Sequence, residues 1–185
     1  MYLLCGLGNK GSEYVHTRHN IGYLVIDRFS ERFNIPLNKK QSGCRIGLTQ
    51  GLILAKPETY MNLSGEPLSK LIQKMNIDIA DLVLIHDDLD MEFGKVRIRW
   101  NGRDGGHKGV RSVIERLGSA EFHRIKIGIG RNPAMAAEEY VLRRFEREEL
   151  EALNEALDTA AEALNTFVRD GSARAMSIYN RKGQE

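Results

Sequence analysis

The sequence predicts an α/β fold: a single globular domain with a mixed, mostly parallel central sheet flanked by helices. Three apolar runs, at residues 2–7, 52–55 and 82–85, have the length and continuity of strands that are buried on both faces. Helical patterns lie between these runs, and this alternation is typical of α/β proteins. We expect residues 1–185 to form one domain, because no repeat, low-complexity run or Pro/Ser-rich linker interrupts them.

Helices and further strands follow from the spacing of apolar residues. Two helices are predicted between the first three strands, with apolar faces at Val25, Phe29 and Phe33, and at Leu68, Leu71, Ile72 and Met75. Alternating apolar residues in 96–100 and 122–129 predict two half-exposed strands. From Leu150 to Phe167 the apolar residues keep a spacing of three to four, which predicts one long helix covering the core.

Composition places the chain among ordinary globular proteins. Of its 185 residues 42% are hydrophobic and 28% charged, which excludes the disordered and fibrous classes. Cys5 and Cys44 show no CxxC spacing and the N-terminus is not signal-like, so we expect a reducing, cytoplasmic environment. No segment approaches the roughly 18 apolar residues of a membrane span. We expect a monomer that has no membrane association and no obligate protein partner.

Charge is unevenly distributed, although the net charge is only +2. Residues 95–131 carry ten basic and three acidic residues, whereas residues 138–162 carry nine acidic and three basic ones. The acidic segment fits the solvated face of a helix. The basic block is either another solvated face or a surface for a polyanion, first of all a nucleic acid.

Polar segments follow each of the first three predicted strands. Asn9 follows the first, Asn62 the second, and Asp87 the third. In open α/β sheets, ligands bind in the crevice beyond the carboxyl ends of the strands. If these strands are parallel neighbours, the three side chains converge on one crevice.

Two familiar site types fit these segments poorly. Residues 6–11, GLGNKG, have the glycine spacing of a dinucleotide-binding loop, but this spacing alone is a weak signal, and no Walker lysine follows it. The cluster His86, Asp87, Asp88 and Asp90 resembles a hard-metal site, but Asp87 and Asp88 would point to opposite faces of a strand. We therefore expect neither a nucleotide cofactor nor a metal.

A carboxylate that orients a histidine is a better use of these acids, because it creates a positioned general base near neutral pH. Among the five histidines, His19 follows the glycine loop and lies within reach of the strand ends. His107 is expected to be a structural residue of a flexible loop, with contact between this loop and substrate as the alternative. No Gly-x-Ser-x-Gly elbow is present, and neither cysteine has an evident histidine partner. Base-catalysed attack by water is the simplest chemistry.

Five segments distributed over residues 6–131 carry distinctive motifs: GLGNKGSEYVHTRHNIG (6–22), KPETYMNLSGE (56–66), HDDLDMEFGKVRIR (86–99), GGHKGVRS (105–112) and FHRIKIGIGR (122–131). In this order they resemble the bacterial peptidyl-tRNA hydrolase family. The resemblance implies hydrolysis of the ester that joins a peptide to the 3′ end of tRNA, so that tRNA from peptidyl-tRNAs lost early by the ribosome is reused. The implied partner is therefore peptidyl-tRNA.

The resemblance also implies catalytic residues. It makes His19 the general base and Asp87 the group that holds His19 in its basic form. Asn9 would position the substrate and distinguish N-blocked from free aminoacyl-tRNA. The amides of Asn9 or Asn62, or nearby loop N–H groups, are alternative donors to the developing oxyanion.

Substrate-binding residues are implied in the same way. Tyr14, Tyr60 and Asn62 match family residues that contact substrate near the scissile ester. Arg99 and Lys126 match basic positions that hold tRNA phosphates.

Lys108 departs from the family pattern, which usually reads GGHNG where this chain reads GGHKG. Lysine donates hydrogen bonds but accepts none, so an acceptor function at this position is lost or supplied elsewhere, whereas an RNA-contacting function would gain a phosphate contact. The departure also leaves open a rival hypothesis, a non-catalytic protein that binds structured RNA on the same fold.

Overall fold

The computed structural model describes residues 1–180 and confirms the α/β prediction. Seven strands form one sheet in the order β2-β3-β4-β1-β5-β7-β6. The strands are β1 (Tyr2–Gly6), β2 (Lys39–Gln41), β3 (Cys44–Thr49), β4 (Leu52–Pro57), β5 (Leu82–Asp88), β6 (Val96–Trp100) and β7 (His123–Gly128). The helices are α1 (Ile21–Arg32), α2 (Gly65–Met75), α3 (Lys108–Leu117), α4 (Ala137–Tyr140), α5 (Leu150–Asp170) and α6 (Ser172–Tyr179).

The four central strands, β4, β1, β5 and β7, are parallel; β3 and β6 pair antiparallel to them at either side, and β2 pairs antiparallel to β3. In register, Cys5 of β1 lies between Ala55 of β4 and Leu84 of β5. The carboxyl ends of these three strands therefore meet at one edge of the sheet, as the sequence pattern predicted.

Several elements were not predicted. The β2–β3 hairpin forms one edge of the sheet, and its first strand is short and largely exposed. Helices α3, α4 and α6 were also missed, and β5 continues past the apolar run to Asp88, so that His86 and Asp87 belong to the strand. The final residues of the expected 1–185 domain, 181–185, lie outside the described residues.

Apolar side chains fill both faces of the sheet. Helices α1 and α5 cover one face and α2 and α3 the other. Both cysteines are free thiols buried within the second of these layers. Among residues 1–180, no helix combines the length and apolar character needed to cross a membrane.

One glycine pair fixes the start of α1 against β1. A Cβ on Gly6 would lie 2.1 Å from the main-chain oxygen of Gly22, so the helix can approach the strand this closely only because residue 6 has no side chain. This close packing brings residues 18–20, which precede α1, over the carboxyl ends of the parallel strands.

Candidate active site

A cavity of about 650 Å³ opens at the carboxyl ends of the parallel strands. Asn9, Asn62 and Asp87, the residues that follow the first three predicted strands, all line it, together with His19. The convergence expected from the sequence is therefore present. Further walls come from the segments around residues 104–108 and 137–142.

At the base of the cavity, Asp87 binds the ring of His19. The Nδ1 atom of His19 lies 2.9 and 3.0 Å from the two carboxylate oxygens of Asp87. Only 2% of the Asp87 side chain and 10% of the His19 side chain are exposed. Burial alone would raise the pKa of Asp87, but the nearby His19 and His107 rings and their hydrogen bonds hold that pKa well below its usual range.

His107, expected to be a structural loop residue, is a second ligand of the same carboxylate. Its Nε2 atom lies 2.9 Å from Asp87 Oδ1. Its Nδ1 atom accepts hydrogen bonds from the main-chain N–H groups of Gly109 and Val110, at 3.1 and 3.2 Å, and thereby caps α3. Because Nδ1 is an acceptor, the ring proton resides on Nε2, and His107 donates it to Asp87.

The two histidine rings bound to Asp87 therefore differ in whether a ring nitrogen remains for a further hydrogen bond. Both nitrogens of His107 are engaged. Among residues 1–180, Nε2 of His19 has no hydrogen-bond partner, yet it is not a sealed buried atom, and the ring lines the cavity. His19 is the ring that can accept a proton from a molecule in the cavity.

His86, the next histidine in the cavity wall, is held neutral. Its Nδ1 donates to the main-chain carbonyl of Asp87 at 2.7 Å, and its Nε2 is buried without a partner in the described part of the chain. Burial, followed by the neighbouring His107, lowers the pKa of His86 to about 3.

His19, Asp87 and His107 also place three potential metal ligands within 4.8 Å of one another. Two imidazoles and one carboxylate are a common donor set for zinc and iron. The cap on α3 opposes this use, because a ligating nitrogen must be unprotonated and His107 Nε2 carries the ring proton. The arrangement fits a hydrogen-bonded triad better than a metal centre.

Asn9 presents a donor to the cavity. Its Oδ1 accepts the main-chain N–H of Met61 at 2.8 Å, which fixes the orientation of the amide. Its main-chain N–H and carbonyl form a reciprocal pair with the side chain of Asn20, at 2.8 and 2.9 Å. Within residues 1–180, Nδ2 of Asn9 has no partner, and it is thus the group that can bind a substrate oxygen.

The remaining predicted site residues divide between cavity and surface. Tyr14, Tyr60 and Lys108 line the cavity with Asn62, and Tyr60 is 58% exposed at its mouth. Lys126 also lines the cavity, where its Nζ forms a 2.5 Å ion pair with Asp88. Arg99 lies outside the cavity, exposed on β6.

One member of the basic block is not on the surface. Arg124 is 2% exposed, and its guanidinium donates to the main-chain carbonyls of Gly102 and Arg103 at 2.6 and 2.7 Å. It is a structural anchor of the loop that leads to His107. The number of basic residues in 95–131 is therefore larger than the number of positive charges that a ligand could contact.

Comparison with known proteins agrees with this geometry. A model of the peptidyl-tRNA hydrolase family matches residues 3–185. The chain belongs to this family. It is 44% identical to the peptidyl-tRNA hydrolase of Lachnoclostridium phytofermentans, with 98% of each chain covered, and 43% identical to that of Exiguobacterium sp., with 97% and 100% covered. The crystal structure of peptidyl-tRNA hydrolase from Acinetobacter baumannii superposes with a TM-score of 0.87 at 31% identity, covering 96% of this chain and 93% of that one.

Membership of the peptidyl-tRNA hydrolase family thus agrees with the resemblance carried by the five sequence motifs. The matched residues, 3–185, include the cavity and the basic strands β6 and β7. The relatives named above are matched over nearly their whole length, so the similarity extends well beyond the histidine motif.

Proposed function

We propose that this protein hydrolyses peptidyl-tRNA with His19 as the general base, Asp87 as its orienting partner and Asn9 as a substrate-binding amide. One observation carries the assignment of the base: His19 holds Asp87 through Nδ1 and turns Nε2 toward the cavity, whereas both nitrogens of His107 are engaged. The same unit, residues 1–185, would carry the ester-cleaving and the RNA-binding functions.

The reaction follows from these groups. His19 Nε2 accepts a proton from water as the water oxygen attacks the ester carbonyl. The carbonyl oxygen becomes an oxyanion, which the Nδ2 group of Asn9 can stabilise by donating a hydrogen bond. When the intermediate collapses, the protonated His19 returns its proton to the departing ribose oxygen. The products are a peptide carboxylate and a tRNA with a free terminal hydroxyl.

The tRNA is proposed to lie across the outward face of β6 and β7. Arg97 and Arg99 pair in register with Lys126 and Arg124, so Arg97, Arg99 and Lys126 share one face of these strands with the buried anchor Arg124. Arg99 is exposed, and Lys108 is an exposed residue that lines the cavity. Contacts of this kind neutralise phosphates without reading bases, which suits an enzyme that accepts many tRNAs. At Lys108 we favour the phosphate contact over a lost acceptor.

Turnover with N-acetylaminoacyl-tRNA, compared with the same tRNA carrying a free α-amino group, tests the proposal. We expect release of free tRNA from the blocked substrate only. Tight tRNA binding without release of the acyl group would support the rival RNA-binding function. We further propose a cytoplasmic monomer, which size-exclusion chromatography with light scattering would check.

A further inference from the structure

The segment of residues 136–149, here named the wall segment, is fastened directly to the chain around the catalytic base. Its Val141 and Leu142 line the cavity. The main-chain N–H of His19 donates to the carbonyl of Val141 at 2.8 Å, and that of Arg18 donates to the carbonyl of Arg143 at 3.0 Å. The position of His19 is thus coupled to that of the cavity wall.

The side chain of Arg18 reinforces this coupling from beneath. It is 4% exposed, and its two terminal nitrogens bind the two carboxylate oxygens of Glu149 at 2.9 and 2.7 Å. The guanidinium also lies 4.6 Å from the ring centre of Tyr140 and 5.1 Å from that of Phe145. Such a planar, forked and stacked contact cannot be reproduced by lysine.

Glu149 is held on the far side of this contact. One of its carboxylate oxygens accepts the main-chain N–H of Glu146 at 2.7 Å, immediately before α5 begins. Burial would raise the pKa of Glu149, but hydrogen bonds from Arg18 and from Glu146 lower it. Arg18 therefore joins the approach to α1, the wall segment and the start of α5.

We propose that Arg18 is a positioning residue for hydrolysis: through Glu149, Tyr140 and Phe145 it fixes the wall segment, and through the Val141 carbonyl the wall segment fixes His19. This inference rests on the proposed function, since it assigns Arg18 a role in aligning the proposed base. Arg18 itself is buried and is not among the residues that line the cavity.

Arg18→Lys and Glu149→Gln test the proposal, with Arg28→Lys as the matched control. Arg28 makes a more exposed ion pair between α1 and α5, with Asp158 at 2.6 Å, and its two hydrogen-bond partners, Asp158 and Asn154, both lie in α5 rather than in the wall segment. We expect kcat to fall by about tenfold or more in both test variants, because a small misplacement of a catalytic group is costly. We expect the tRNA dissociation constant to stay within about twofold, because the basic face lies elsewhere.

Two measurements are independent of activity. Trypsin cleavage after Arg143, Arg144 and Arg147 should accelerate in the test variants, and the amide of His19 should exchange its hydrogen faster, while the control matches wild type. The double variant should have a kcat no lower than that of either single variant, because each single substitution already disrupts the same Arg18–Glu149 contact.

The inference is overturned if kcat falls without faster exchange at His19, if exchange rises without a fall in kcat, or if Arg28→Lys behaves like Arg18→Lys. Glu149→Gln preserves the shape of the side chain, so it serves if Arg18→Lys does not fold. An inactive wild-type enzyme would contradict the proposed function instead, and the exchange and proteolysis results would still report whether Arg18 holds the wall segment.

Discussion

At the scale of single residues, one carboxylate holds two imidazoles, and the second nitrogen of each ring decides what that ring can do. His19 leaves Nε2 to the cavity, whereas the backbone of α3 occupies Nδ1 of His107. The sequence places His107 in a glycine-rich segment, which suggests a mobile loop. A signal was nonetheless present, because His107 directly precedes a helical spacing at Val110, Val113 and Leu117 and so occupies an N-cap position.

Asn9→Asp distinguishes the two roles of the Asn9 side chain, in which Oδ1 accepts a hydrogen bond from Met61 and Nδ2 is the proposed donor to substrate. The carboxylate can still accept the N–H of Met61, but it presents an oxygen where Nδ2 would donate. We predict a folded protein whose kcat/KM for N-acetylaminoacyl-tRNA falls by about 100-fold or more, since losing an oxyanion donor has effects of that size. Asn38→Asp, at an exposed position that does not line the cavity, is the control. Near-normal turnover in Asn9→Asp would exclude the donor role.

Two substitutions of His107 distinguish its role as the N-cap of α3 from its hydrogen bond to Asp87. Asparagine is a good N-cap but is too short to replace both contacts, whereas alanine replaces neither. We therefore predict that His107→Ala is less stable to urea than His107→Asn by about 1 kcal/mol. Equal free energies of unfolding would contradict the capping role.

At the scale of elements, strand alternation places the basic residues of β6 and β7 on one face, and packing divides them into exposed and buried residues. The side chains of β6 and β7 that face α5 are apolar except for His123, whose ring packs on Phe167, while Arg97, Arg99 and Lys126 lie on the other face. Burial of Arg124 and the pairing of Lys126 with Asp88 follow from packing between distant segments, so a charge count could not reveal them.

Arg99→Ala tests the basic face. One fewer phosphate contact should weaken tRNA binding for all tRNAs alike and reduce the slope of log K against log salt concentration by about 0.7–0.9. Filter binding across a range of KCl concentrations measures this slope. Arg174→Ala, an exposed arginine on α6, is expected to leave it unchanged. An identical slope in Arg99→Ala and wild type would show that Arg99 is a solvated surface residue that does not contact tRNA phosphate.

The sequence predicted strands with a clear apolar pattern, both the buried β1, β4 and β5 and the half-exposed β6 and β7. Strands β1, β4 and β5 each contain an uninterrupted apolar run because helices cover both of their faces. It did not predict β2, whose three residues, Lys39–Gln41, are held by pairing with β3 rather than by a buried face. The site was predicted where residues follow strands, as at Asn9 and Asp87, and missed where a tertiary contact assigns the role, as at His107.

At the scale of the whole molecule, the site imposes a pH dependence on stability. His86 is buried and neutral, and its pKa is lowered to about 3, with burial the main cause. Burial also lowers the pKa of His123. An unfolded chain would protonate both rings below about pH 6.5, so it binds more protons than the folded state and folding weakens as pH falls.

His86→Asn should therefore flatten the stability profile. In wild type we predict that the free energy of unfolding decreases from pH 6.5 to pH 4.5, with His86 contributing up to about 1.4 kcal/mol per pH unit. Carboxylates with lowered pKa, such as Asp87 and Asp88, add a loss of the same sign only below about pH 4. Urea denaturation at several pH values measures the profile. Parallel profiles for wild type and His86→Asn would contradict the buried, neutral state.

The most direct test of the account is hydrolysis of N-acetylaminoacyl-tRNA by His19→Ala, with tRNA affinity measured on the same preparation. If His19 is the general base, kcat falls by about 100-fold or more while the dissociation constant for tRNA stays within about twofold of wild type. Turnover close to that of wild type in His19→Ala would show that the proton of the attacking water goes elsewhere, and the assignment of the base would be wrong.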